Sequence, residues 1–122
     1  VQTTLIFDTT ELIRAIRKRS DFEDGSISII TLIEVLRGIE DGEKREKTSG
    51  LLEQAFEVVD VNRDVARAYF KLYFELKRKG ESSSDADELI AATALSQGET
   101  LLTSDKGFLK FDPWVKVKLV AK

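Results

Sequence analysis

Leu5-Ile6-Phe7, followed at once by Asp8, is a short apolar run of the kind made by a parallel strand buried on both faces. Outward from it, Thr9 to about Lys18 reads as a helix, with Leu12, Ile13 and Ile16 on one face. Asp24-Gly25 breaks the chain, and Ser26-Ile27-Ser28-Ile29-Ile30 has the β-branched character of a second strand. A helix is expected from Thr31 to about Arg37, a solvated charged stretch from Glu40 to Lys47, and a further helix from Lys47 to Phe56. Val58, Val59 and Val61 mark a third strand, and Val65, Tyr69, Leu72 and Leu76 an amphipathic stripe. After Gly80 and its serines, Asp85 to Gln97 is an Ala- and Leu-rich helix ending at Gly98. Thr100-Leu101-Leu102-Thr103 is a fourth strand, Asp105-Lys106-Gly107 a turn, and Val115 to Val120 a fifth strand. Short apolar strands alternating with helices predict a doubly wound, three-layer α/β/α sandwich on a five-stranded parallel sheet, formed by residues 1–122 as one domain.

The composition removes whole classes of chemistry. The 122 residues contain no Cys, so there is no disulfide, thiolate zinc site or cysteine nucleophile. They contain no His, so there is no Ser-His triad and no imidazole ligand or base. An enzyme of this composition must work with carboxylates, hydroxyls, Lys, Arg and Tyr. Nineteen basic and 22 acidic residues give a net charge of −3, which argues against nucleic-acid binding by bulk charge. A local site whose charge is inverted by bound metal ions stays open. No apolar run approaches the roughly 20 residues that span a bilayer, and no signal-peptide pattern is seen, so the expected location is the cytoplasm, with no membrane partner.

In a parallel sheet the residues just after each strand share one edge, and ligands bind in the crevice outside it. Asp8 follows the first strand, Glu34 is expected in the first turn of the helix after the second, and Asp105 follows the fourth. Asp87 opens the last long helix. That helix must start at the same edge, so the chain between Leu76 and Asp85 has to cross back, within a reach of up to about 30 Å. Each acid also has an ordinary explanation. Thr31 to Glu34 and Ser84 to Asp87 fit capping boxes, and Asp8 and Asp105 fit simple caps. Four caps, however, would not all need one edge. Carboxylates about 4 Å apart repel by roughly 4 kcal/mol at an effective dielectric of 20, a cost relieved by protons or cations. Oxygen ligands without His or Cys select Mg²⁺, with Mn²⁺ as the substitute, and magnesium held by acids suits phosphate-ester chemistry.

At these residues the sequence resembles the PIN-domain nucleases, and among them the VapC-type toxins of toxin–antitoxin pairs. The resemblance covers nearly the whole chain and rests on four segments in order: Phe7 to Ile13, Ser28 to Gly38, Asp87 to Ala94 and Leu101 to Phe108. It implies a Mg²⁺-dependent endoribonuclease leaving a 5′-phosphate and a 3′-hydroxyl, an RNA substrate, homodimerisation and inhibition by a cognate antitoxin. Asp8, Glu34, Asp87 and Asp105 match the acidic metal-binding set, and Thr103 matches a hydroxyl that supports it. Asp85 is the neighbouring alternative to Asp87, disfavoured by the spacing to Leu89-Ile90-Ala91-Ala92. Thr10 departs from the pattern, since an Asn is common there.

Other residues admit two accounts. Arg37 either steadies a carboxylate or phosphate, or forms an i, i+3 salt bridge with Glu34. Lys106 touches RNA backbone or is an ordinary solvated lysine. Tyr69, Phe70, Tyr73 and Phe74 are expected in the core, with a dimer interface as the alternative if they are exposed. Two other functions compete with the nuclease. One is a phosphoacceptor receiver domain using Asp60 and Thr103, which lacks the needed Lys after its fifth strand. The other is a PIN-like module that binds without catalysis.

Overall fold

The computed structural model describes residues 4–18 and 25–121. In chain order these form β1 (Leu5–Phe7), α1 (Thr9–Lys18), β2 (Gly25–Ser28), α2 (Ile29–Leu36), α3 (Gly42–Ala55) and β3 (Glu57–Val59). They continue with α4 (Arg63–Arg78), α5 (Asp85–Gln97), β4 (Thr100–Thr103), a 3-10 helix (Lys106–Phe111) and β5 (Val117–Leu119). The strands form one sheet in the order β3-β2-β1-β4-β5, and every pairing is parallel. Parallel strands need crossovers, which is why helices cover both faces.

Alternation along β1 shows how the core divides. Ile6 belongs to one cluster, with Leu101 of β4, Val65, Leu72 and Leu76 of α4, Ile90, Ala91 and Ala94 of α5, and Phe108 and Phe111 of the 3-10 helix. Phe7 belongs to the other, with Ile27 of β2, Leu12 of α1, Leu32 of α2, and Leu52 and Phe56 of α3. Adjacent residues of a strand point to opposite faces, so three residues anchor both layers. Gly25 opens β2 where it runs closest to β1; a Cβ there would meet Leu5 O and the Phe7 ring at 3.0 Å.

Several boundaries differ from the expectation. Ile29 and Ile30 continue into α2 instead of β2, because Ser28 caps the helix, its Oγ accepting from Ile30 N at 3.0 Å. A local cap outweighs the β-propensity of two isoleucines. Thr31 therefore lies inside the helix and is no cap, and Glu34 sits beyond the first turn. Helix α3 starts at Gly42 rather than Lys47, since Asp41 accepts from Glu43 N and Lys44 N at 3.0 and 3.3 Å. The turn expected at Asp105 becomes the first step of the 3-10 helix, which shortens β5 to Val117–Leu119, and Val61 lies outside β3. The expected extents of α1 and α5 match, and Gly98 ends α5 with a positive φ of 65°. The expected break at Asp24 lies outside the described residues.

The return of the chain between α4 and α5 is as anticipated. Lys79, the C-cap of α4, lies over the Trp114 ring near the start of β5, with Nζ 4.6 Å from its centroid. Ser82 O then accepts from Lys110 Nζ of the 3-10 helix at 2.9 Å. Tyr69, near the middle of α4, donates to Asp85 Oδ1 at the start of α5 at 2.9 Å, so the chain has come back along α4 by that point. Among the described residues no helix is long and apolar enough to cross a membrane.

Candidate active site

The chain leaves β1 toward β2 on one side and reaches β4 on the other, so a crevice opens above the C-terminal ends of β1 and β4. Asp8 lies at its base, with its N–H bonded to Leu102 O at 3.1 Å and only 1% of its surface exposed. Its carboxylate is held from several directions. Oδ1 accepts from Glu11 N at 2.8 Å and from the Thr10 hydroxyl at 2.9 Å. Oδ2 accepts from the Thr103 hydroxyl at 2.5 Å, and the Thr10 hydroxyl also lies 3.0 Å from it. Burial raises the Asp8 carboxyl above its ordinary value, the bonds from Thr103, Glu11 N and Thr10 oppose this, and the nearby Glu11 charge adds to it.

Thr103, the last residue of β4, is fully buried and links two acids. While its hydroxyl donates to Asp8, its oxygen accepts from Asp105 N at 2.9 Å. Asp105 then caps the 3-10 helix, Oδ1 accepting from Gly107 N at 2.8 Å. The capping roles weighed for Asp8 and Asp105 are thus real, and they coexist with a shared location.

Glu34 reaches the crevice from α2. Its Oε1 accepts from the Thr9 hydroxyl at 2.6 Å, and Thr9 Oγ1 also lies 3.3 Å from Thr31 Oγ1. Thr9 thereby ties the start of α1 to α2 beside Asp8. Asp87 comes from the first turn of α5, its N–H donating to Ser84 Oγ at 3.2 Å. Burial raises its carboxyl above the ordinary range, Ser84 opposes this, and the charges of Asp105 and then Glu34 raise it further. Asp85 turns instead to Tyr69, which supports the choice of Asp87.

The acids share one edge without forming a tight cage. Among the described residues no group of three or more acids is close enough to hold a metal ion directly. The donor set still fits hydrated Mg²⁺, which keeps several waters and binds through one or two carboxylates. Asp8 is largely occupied by protein donors, so Glu34, Asp87 and Asp105 offer the freer oxygens.

Arg37 is 3.8 Å from Glu34 Oε2 with a side chain 73% exposed, the geometry of the plain i, i+3 pair. Lys106 is exposed beside the crevice. The threonines are what sequence reasoning undervalued. Thr9 holds Glu34, Thr31 lies beside Thr9 instead of capping α2, and Thr10, a departure from the family pattern, contacts both Asp8 oxygens. The signal was available in a hydroxyl-rich run directly after a strand. Of the α4 aromatics, Tyr69 packs against the core as expected, whereas Phe70, Tyr73 and Phe74 are exposed. Phe70 is 57% and Phe74 49% exposed, because Val65, Ala68, Leu72 and Leu76 form the buried stripe.

Residues 5–112 match the family model described as PIN domain. The chain is 35% identical over 107 residues to Ribonuclease VapC1 of Methanocaldococcus jannaschii, covering 86% of this chain and 78% of that protein. Among solved structures it resembles VapBC2 from Rickettsia felis bound to a promoter DNA fragment, with a TM-score of 0.81 at 23% identity, covering 96% and 98% of the two chains. It also resembles FitAcB from Neisseria gonorrhoeae, with a TM-score of 0.70 at 27% identity, covering 93% and 96%.

Proposed function

This chain belongs to the PIN-domain family, and from that premise we propose that it is a divalent-metal-dependent endoribonuclease, the toxin of a toxin–antitoxin pair. The observation that carries the reading is the Thr103 hydroxyl, which joins Asp8 after β1 to Asp105 after β4, with Glu34 of α2 held by Thr9 beside Asp8. Acids from separate segments, brought to a switch-point crevice in a protein without His, suit phosphodiester hydrolysis. A receiver domain has no comparable support, since Thr103 is committed to Asp8 and Asp105.

In this reading Glu34, Asp87 and Asp105, with Asp8 beneath them, hold Mg²⁺ or Mn²⁺. The bound cation supplies charge neutralisation at the phosphate and a more acidic water. The protein's own part is positional. Thr103, Thr10 and Glu11 N fix the Asp8 carboxylate, so no side-chain reorganisation is needed there as RNA arrives. Thr9 fixes Glu34 in the same way. Arg37, tethered loosely to Glu34 and mostly exposed, is free to swing toward a phosphate.

The curated relative is named a ribonuclease, and the Rickettsia felis neighbour is a VapBC assembly. By analogy this chain takes an RNA substrate and a cognate antitoxin, works in the cytoplasm, and forms a homodimer through the exposed aromatics of α4. The test is incubation with total RNA in Mg²⁺, in EDTA, and with the Asp87→Asn protein. Cleavage should occur only in the first case. Equal cleavage by Asp87→Asn, or in EDTA, would remove the acid site from the mechanism.

A further inference from the structure

Beside the acids a groove of about 920 Å³ runs between the start of α1 and the end of β5. Its walls differ in chemistry. Leu119 and Val120 give an aliphatic side, Lys106 a cation, and Thr10 and Ser104 hydroxyls, while Asp105 belongs both to the groove and to the acid site. Leu119, on the edge strand β5, is 39% exposed. The groove is held in shape at the β5 end, where Arg14 donates to Ala121 O at 2.9 Å and Val120 N donates to Thr103 O at 2.7 Å.

We propose that this groove seats one unpaired nucleotide of an RNA strand, next to the bond that is cut. The inference rests on the nuclease reading and adds to it a subsite and a basis for choosing RNA over DNA. The size is within the range of small-ligand pockets, about 300–1,000 Å³. A nucleotide matches the three kinds of wall: its base lies against Leu119 and Val120, its phosphate meets Lys106, and its ribose lies toward the hydroxyls. Paired bases in an A-form duplex cannot enter such a groove, so the occupant is single-stranded.

Thr10 gives the sugar preference. The Thr10 hydroxyl donates to Asp8, 2.9 and 3.0 Å from its two oxygens, so its one proton is committed there. Thr10 Oγ1 is left with acceptor capacity alone. A ribose 2′-hydroxyl can donate to it, whereas deoxyribose offers no partner.

The experiment measures anisotropy of a labelled five-residue ribonucleotide and its deoxy counterpart, in EDTA at low salt so that nothing is cut. The wild type should bind the RNA about tenfold more tightly than the DNA. Thr10→Val should erase that preference and Thr10→Ser restore it. Leu119→Glu should weaken both oligonucleotides by about tenfold, while Lys118→Glu, a larger charge change on an exposed neighbour outside the groove, should do less. Lys106→Ala should reduce the slope of log affinity against log salt by about 0.7, one phosphate contact on a single strand. Equal binding of RNA and DNA by the wild type would overturn the proposal. So would wild-type affinity in Leu119→Glu, or an equal loss in Lys118→Glu. The two readings separate cleanly. A wild type that shows this binding pattern but cuts nothing in Mg²⁺ keeps the groove and loses the nuclease, whereas RNA cleavage with an unaffected Leu119→Glu loses the groove alone.

Discussion

Two buried carboxylates stand at opposite ends of the same sheet. At the C-terminal edge Asp8 takes bonds from Glu11 N, Thr10 and Thr103. At the other edge Glu99, 8% exposed, takes a bond from Ser26 at 3.0 Å on Oε2 while its Oε1 is left without a partner. Burial is the leading cause of a raised pKa in both. The difference is in the answer to burial. Asp8 has donors enough to fix its orientation, and one of them, Thr103, also holds Asp105. Glu99 is less well satisfied, close to Glu57, and linked to no such network. A buried acid by itself therefore says little about function. A buried acid whose supporting donors also reach a second acid says more.

The largest test of that contrast is catalytic. Asp8→Asn and Asp87→Asn should each cut Mg²⁺-dependent RNA cleavage by at least about a hundredfold, with Glu99→Gln at the wild-type rate in the same gel assay. Loss of activity in Glu99→Gln with its fold intact would erase the distinction between the two edges. Next comes Thr103→Val, which strips Asp8 Oδ2 of its buried donor and Asp105 N of its acceptor. Denaturant unfolding should show a loss of about 1–3 kcal/mol, with cleavage reduced too, and Thr103→Ser should recover most of both.

A smaller effect concerns pH. Burial raises the Glu99 carboxyl above its ordinary 4.5, with Glu57 adding to the rise and Ser26 and Thr4 opposing it. Its contribution to stability is complete below that value and is lost as pH rises through the folded pKa. Glu99→Gln removes this loss, so at pH 7 it should melt a few degrees above wild type, and the gap should close below pH 4.5. A constant gap across that range would show that the charge is not the cause. The smallest expected effect on stability is at the α4 aromatics. Phe70→Ser with Phe74→Ser should change the unfolding free energy of the dilute, monomeric protein by no more than about 0.5 kcal/mol per site, because both are exposed in the single chain. Light scattering tests the proposed homodimer, with a dimer expected for the wild type and a monomer for the double variant.

Much of the fold was legible because its signals are local. Leu5-Ile6-Phe7 and Thr100 to Thr103 are apolar over too short a span to be anything but strands in this alternation, and Gly98 stops α5 where a left-handed residue is required. The errors came where two local rules compete. At Ser28 the cap won over β-propensity, and at Asp41 a cap started a helix inside a charged stretch that periodicity ignores. Phe70, Tyr73 and Phe74 depart from the expected core placement because they widen the helix's apolar face beyond the arc that one neighbour can cover.

Primary structure alone determined the chemistry open to this protein, since the absence of His and Cys leaves oxygen ligands, and the position of each acid after a strand or at a helix start follows from short-range pattern. Tertiary structure decided how those acids relate. Thr103 meets Asp8 across 95 residues of chain, and Thr9 meets Glu34 across 25. Such partnerships depend on strand order and on a crevice between β1 and β4, and hydrogen bonds act over about 3 Å of space whatever the distance along the chain.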